Sequence, residues 1–304
     1  MSMSVQYVII AGWVALAGVA LHAQEQTARD WASLVGQRFQ AVRDVVYRPM
    51  PDGDLKLDLY VPYSKEPGPA IFYIHGGGWQ TGTKEQYVLW YLPYLQLGFR
   101  VVAVQYRLSG RAPAPAQVED CRCAYLWIAR NGRKYGIDPD RLVVTGGSAG
   151  GHLALMTAFL DTSFDGPCGI EGPAPKAAAV INYYGATDMT LLLKRSQTRH
   201  LKLFSGPGDT MEMARRISPL RWVRPGSPPV LTLHGDADET LPHEHAATLH
   251  QALDQVKTPN ELVTIKGGRH GRHTWTDQDT LLVQRRIEGF LTRHRALPES
   301  RLAR

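Results

Sequence analysis

Four short stretches hold residues whose types and spacing suit covalent chemistry. The first is "IFYIHGGGWQTGTK", from Ile71 to Lys84: an apolar run, a histidine, three glycines and a tryptophan. A glycine-rich loop directly after a strand bares backbone N–H groups to something negative. One candidate is a phosphate, because Gly77 to Gly82 has the gap of G-x-x-x-x-G-K-[ST]. Thr83 and Lys84 then come in the wrong order, so the lysine would not aim at a phosphate. The other candidate is the transient oxyanion of an acyl transfer. The second stretch, "RLVVTGGSAGGHLAL", sets Ser148 in Gly146-x-Ser148-x-Gly150. A serine lifted on a sharp strand-to-helix turn takes strained backbone angles, and small neighbours at −2 and +2 let strand and helix approach. The helix N-terminus adds a favourable partial positive charge nearby.

A serine hydroxyl is a poor nucleophile at neutral pH; it needs a base, and the base needs an orienting carboxylate. "PVLTLHGDADETLP" presents Asp236 and Asp238, and "ELVTIKGGRHGRHTW" presents His270 and His273. Serine, acid and histidine therefore follow one another along the chain, with two candidates each for acid and base.

These residues need a scaffold that ends strands beside one another. Strands are expected at Val45–Pro51, Leu55–Pro62, Ala70–His75, Arg100–Arg107, Arg141–Thr145, Ala178–Tyr184, Pro229–His234 and Glu261–Lys266. The first two are joined at the hairpin signal "PDGD". Most are continuous apolar runs, as in strands buried on both faces of a parallel sheet. Helical patterns lie between them at Lys84–Leu97, Gln117–Tyr135, Gly150–Leu160, Pro242–Gln255 and Asp277–His294. The alternation predicts an α/β fold: a single doubly wound, mostly parallel sheet of about eight strands. In such sheets ligands sit at the carboxyl ends of the strands, where all four stretches fall. From Asp188 to Pro228 no strand is evident although several residues are apolar. A connection of that length carries structure or function. It is expected either as a small helical cap over the site or as an ordinary helix with a surface excursion.

The segments "YIHGGGWQTG", "VQYRLSGRAPAPAQVEDC", "DPDRLVVTGGSAGGHLA", "HGDADETLP" and "GGRHG" resemble an α/β-hydrolase of the HGGG esterase type. The likeness is to bacterial carboxylesterases of the acetyl-xylan- and feruloyl-esterase-like, hormone-sensitive-lipase-related group, and it covers most of the chain from about Leu55. In that family the acid stands after His-Gly with two residues between, which implies Asp238, and the base stands in Gly-x-x-His-Gly, which implies His270. The resemblance further implies an oxyanion hole from the N–H groups of Gly77, Gly78 and Ala149. It leaves His75 as a hydrogen-bonder that fixes the loop, and Trp79 as either packing under the loop or lining a substrate-binding pocket. Arg272 departs from the family pattern, which often has an apolar residue after Gly271. The implied activity is serine-dependent hydrolysis of carboxylic esters, with acetyl, short-chain or feruloyl groups on small or polysaccharide-linked alcohols. An amidase or formamidase on the same triad is the alternative within enzymes, and an inactive binding protein the alternative outside them. No metal or organic cofactor is implied, because acyl transfer through serine needs none.

At 304 residues, 44% hydrophobic and 20% charged, the chain has ample apolar material for one large domain. The net charge of +6 is scattered, except in "RRIEGFLTRHRALPESRLAR", which reads as the solvated face and tail of a last helix. No nucleic-acid motif accompanies it, and no nucleic-acid partner is expected. "MSMSVQYVIIAGWVALAGVALHAQEQ" has an apolar run from Tyr7 to Leu21, short for a membrane span. Residues 1–23 are expected to be a signal peptide, 24–304 the catalytic domain with a cap-like insertion at 188–228. The mature protein would then be secreted or periplasmic, without stable membrane association. An uncleaved anchor is the competing reading. Of three cysteines, Cys121 and Cys123 are two apart in a helical pattern and point to different faces, so they are not expected to pair. A bridge involving Cys168 is conceivable, but buried free thiols are the expectation. No zinc-ligand spacing is present.

Overall fold

Eight strands form one sheet in a computed structural model that describes residues 37–298 apart from 64–65, 166–167, 171, 173 and 196–201. The chain divides into residues 1–40 and residues 41–304. The expected leader at 1–23 lies outside the described residues. The strands are β1 (Phe39–Arg48), β2 (Leu55–Pro62), β3 (Gly68–Ile74), β4 (Arg100–Val104), β5 (Ile137–Gly147), β6 (Ala179–Tyr183), β7 (Val230–Gly235) and β8 (Asn260–Ile265). Their spatial order is β1-β2-β4-β3-β5-β6-β7-β8. β2 runs antiparallel to β4, and every pairing from β4 through β8 is parallel. β3, β4, β6 and β7 are buried at every residue, which is why they read as unbroken apolar runs instead of alternating ones.

The helices are α1 (Val88–Gln96), α2 (Ala116–Asn131), α3 (Ala149–Phe159), α4 (Met189–Arg195), α5 (Thr210–Arg216), α6 (Glu244–Gln255) and α7 (Asp277–Arg293). α3 is almost wholly buried, consistent with a sequence, "AGGHLALMTAF", that is apolar all round. α7 begins with a reciprocal capping box: the Thr276 hydroxyl accepts from the Asp279 N–H while the Asp279 carboxylate accepts from the Thr276 N–H.

Three expectations are corrected. Lys84 does not open a helix; α1 starts at Val88. The Lys84 ammonium is instead buried, 3.1 Å from Asp44 and 3.0 Å from Asp58, and it also contacts Glu85. Its own N–H donates to the Gln105 side chain, which holds residues 84–87 in a turn. Second, Cys123 and Cys168 form a disulfide that ties α2 to the segment after α3, and only Cys121 is a buried free thiol. Third, β1 begins earlier than the hydrophobic pattern indicates, because its outer positions are polar and exposed.

The described part of 188–228 holds two short helices, α4 and α5, and a 3-10 turn at Pro219–Trp222. Its described residues are sewn into the domain: the Ala114 N–H donates to Leu203 O, the His152 Nε2–H donates to Ile217 O, and Leu203, Ala214 and Ile217 join the core. Among the described residues no helix is long and apolar enough to cross a membrane.

Candidate active site

The switch in strand order falls at β3. From there the chain goes first to β4 on one side and later to β5 on the other, so the loops after β3 and β5 face each other across a crevice. The first loop carries Gly76–Gly78 and the second carries Ser148. Ser148 sits at φ +56°, ψ −120°, a conformation that costs a non-glycine residue about 1–3 kcal/mol. It is held there by its N–H donating to Tyr183 O and by its carbonyl accepting from the His152 N–H. A Cβ at Gly146 would stand 2.4 Å from Ile74 O, and one at Gly150 2.1 Å from the same oxygen, so the small neighbours are sterically required.

His270, after β8, brings Nε2 to 2.9 Å from Ser148 Oγ and Nδ1 to 2.7 Å from Asp238 Oδ2. An ionised carboxylate only accepts, so Nδ1 carries the proton and Nε2 is left to accept from the serine hydroxyl. Asp238 is buried, and burial alone would raise its pKa. The hydrogen bonds from His234, His270 and the Leu241 N–H outweigh this and hold the carboxyl well below the usual carboxylate range. Asp238 Oδ1 accepts from the N–H groups of Thr240 and Leu241, which fixes the side chain from behind. The loops bearing acid and base are tied directly. Asp236, the other acid candidate, is exposed and accepts from the Gly267 N–H at 2.6 Å, while the Ala237 N–H donates to Gly268 O. Asp236 thus braces the turn that presents His270. His273 is exposed at the rim and makes no contact with Ser148 among the described bonds.

Ser148 opens into a cavity of about 640 Å³ whose lining includes Gly76–Thr81, Tyr87, Trp90, Tyr184 and Leu241. None of the described residues of 188–228 lines it. Gly77 and Gly78 have φ of +111° and +61°, and their N–H groups, like that of Ala149, donate to no described protein acceptor. His75 behaves as the loop-fixing group. Its Nδ1 donates to Gly76 O at 2.8 Å, its ring stacks on Tyr106, and burial pushes its pKa down to about 4. Trp79 does both things expected of it in the alternative, packing 2% exposed and lining the cavity.

Sequence reasoning missed three contributors. His152 accepts from Trp79 Nε1 at 3.1 Å, and its Nε2–H donates to Ile217 O at 2.7 Å, joining the glycine loop, α3 and the 188–228 segment. Tyr184, whose ring meets His270 edge-on at 4.9 Å, stands just past the end of β6, where the strand-end rule would have found it. Trp90 lies on α1 with no motif to mark it.

The sheet order, the serine turn after β5 and the acid and base after β7 and β8 define an α/β-hydrolase. Within that class the chain belongs to the BD-FAE family, whose model matches residues 57–253. A Mycobacterium tuberculosis protein named probable carboxylic ester hydrolase LipM is 31% identical over 195 residues, 62% of this chain and 45% of its own length. The chain spans about half the length of the first such relatives it matches. Among solved structures, a truncated carbohydrate esterase from gut microbiota superposes with a TM-score of 0.70 at 26% identity, covering 84% of this chain and 98% of that one. A thermophilic esterase of Thermogutta terrifontis with propionate bound gives 0.72 at 27% identity, covering 84% and 95%.

Proposed function

We propose that the chain is a serine carboxylic-ester hydrolase working through an acyl-enzyme. The observation that carries this reading is the hydrogen-bonded line Ser148–His270–Asp238 opening into a cavity. Ser148 Oγ attacks the ester carbonyl carbon as its proton passes to His270 Nε2, and Asp238 stabilises the resulting imidazolium. The N–H groups of Gly77, Gly78 and Ala149 receive the oxyanion. Collapse expels the alcohol oxygen, which takes the proton from His270. A water then repeats the sequence on the acyl-enzyme and releases the acid. Trp79 walls the cavity beside the glycines. Esters of acetyl, short-chain or feruloyl groups on small or carbohydrate alcohols are the proposed substrates. The carbohydrate esterase and the propionate-bound esterase among the similar structures support the carbohydrate-alcohol and short-chain parts of that range.

The proposed location is secreted or periplasmic, with residues 1–23 removed. The Cys123–Cys168 bridge supports an oxidising compartment, and N-terminal sequencing of the mature protein from the host cell tests it. For the activity, Ser148→Ala should lower kcat on p-nitrophenyl acetate by about 10⁴-fold or more. Undiminished hydrolysis by the folded variant would overturn the proposal.

A further inference from the structure

Behind the wall of the 640 Å³ cavity lies a second pocket of about 130 Å³, between α1 and α7. Its lining is about half apolar, with Pro93, Leu97, Val283 and Ile287 beside the polar Gln284 and Glu288. One side chain, Trp90, lines both spaces. Elsewhere the partition is one residue thick: Tyr184 and Gly271 line the cavity, while their chain neighbours Tyr183 and Arg272 line the pocket. The Trp90 indole lies against the backbone beside the proposed nucleophile, because a Cβ at Gly147 would meet its ring at 3.2 Å. The indole is held edge-on by Tyr87 and Tyr183, and the Arg272 guanidinium covers it with its carbon 4.9 Å from the ring centroid. That guanidinium also lies 5.4 Å from the Tyr183 ring, and among the described bonds it donates to no acceptor. The residue that breaks the family pattern after Gly271 therefore acts as a clamp on an aromatic wall.

Which half of an ester faces this wall follows from the base. The leaving oxygen must lie at His270 Nε2 to receive its proton. His270 and Thr240 also line a polar pocket of about 330 Å³ with Glu239, Arg269 and Thr274, which places the alcohol on that side. Trp90 is not part of that pocket and faces the acyl half. We infer that Trp90, clamped by Arg272, ends the acyl site and, among straight-chain acyl groups, limits the enzyme to short ones, with the pocket behind it an extension that the indole shuts off from the cavity. The inference rests on the esterase reading above. At roughly 30 Å³ for each water-sized unit, the extension would hold about four methylenes. Each methylene buried is worth about fourfold in kcat/KM.

The test compares kcat/KM of the full chain on p-nitrophenyl acetate, butyrate, hexanoate, octanoate and decanoate. In Trp90→Ala the octanoate-to-butyrate ratio should rise by roughly 10- to 100-fold over wild type, short of the roughly 250-fold of four fully buried methylenes because about half of the lining is polar. In Arg272→Leu, which frees the indole without removing it, the ratio should rise less. Adding Ile287→Trp to Trp90→Ala should fill the pocket and reverse the gain. A wild-type ratio in folded Trp90→Ala overturns the inference, and if that variant fails to fold, a wild-type ratio in Arg272→Leu overturns it instead. A wild-type enzyme that already prefers octanoate overturns it too. Failure of the wild type to hydrolyse any of the esters would instead sink the esterase reading itself.

Discussion

At Gly146 and Gly150 a Cβ would stand 2.4 and 2.1 Å from the carbonyl oxygen of Ile74, whereas at Gly78 it would meet nothing within 4 Å. Gly78 thus answers a different demand from the glycines around Ser148. Around Ser148 the backbone of α3 is pressed against the end of β3, and glycine is needed because there is no room. In the loop after β3 the demands divide. Gly76 and Gly77 also lack room, a Cβ there standing 2.7 Å from Gly147 O and 2.1 Å from Thr81 O, whereas Gly78 is needed for its backbone angle alone, φ +61°. The turn is rigid through contact. The loop is rigid through bonds: the N–H groups of Gln80 and Thr81 donate to Gly77 O, and Trp79 donates to His152. His152 belongs to α3, so the bonded loop is fastened to the packed turn.

Breaking the packed half should have the largest effect. Gly150→Ala places a Cβ 2.1 Å from Ile74 O and 2.8 Å from the His75 carbonyl carbon, both of them backbone. Neither atom can swing aside as a side chain would. The variant is expected to lose about 3 kcal/mol or more of stability, and ester hydrolysis with it, as α3 moves off β3 and carries Ser148 along. Urea melts beside an acetate assay check this; wild-type stability would show that the turn tolerates more than its packing suggests.

Much of this was legible beforehand because it is local. A strand, a sharp turn and a helix need a particular string of small residues, so "TGGSAGG" between an apolar strand and a helical pattern placed Ser148. Strand ends and chain order narrowed the acid and base to two candidates each, and the family resemblance chose Asp238 and His270 among them. What stayed hidden depends on which surfaces meet. Lys84 read as a helix opener because nothing local reveals that Asp44 and Asp58 surround its ammonium. Cys123 read as a free thiol because its partner is 45 residues away, beyond a whole helix. Arg272 could be flagged as unusual, but its place over Trp90 depends on how α1 packs beside the loop after β8.

The fastening between the two halves can be tested with acid. Burial pushes His152 down to about 4, against the opposing hydrogen bond to Ile217 O. An unfolded histidine titrates near 6.5. Between those values the unfolded chain binds more protons, so the stability from neutral His152 is complete above about pH 6.5. It is lost as pH falls towards 4, by up to about 1.4 kcal/mol per pH unit. His75 and His245 are lowered to about 4 by burial as well, and add to the same slope. Wild-type urea melts from pH 7.5 to 4.5 should therefore show destabilisation beginning above the carboxylate range. His152→Asn, which keeps a donor and an acceptor but does not titrate, should show a shallower slope. Parallel slopes would mean that the tie between loop and turn carries no proton-linked energy.

The smallest effect separates the two uses of glycine most cleanly. Gly78→Ala introduces no clash and keeps the N–H, so its cost is that of a left-handed backbone, about 1–2 kcal/mol of stability. Gly77→Ala has the same N–H but drives a Cβ to 2.1 Å from Thr81 O, so it should distort the loop and misaim both donors. Loss of a single oxyanion donor typically costs 10²–10³ in kcat. On p-nitrophenyl acetate, Gly77→Ala should fall into that range and Gly78→Ala should stay well short of it. If Gly78→Ala instead loses 10²-fold while melting within about 2 kcal/mol of wild type, the empty space beside it must be where the substrate sits. Glycine at 78 would then be required by the ligand, a third reason distinct from both packing and backbone angle.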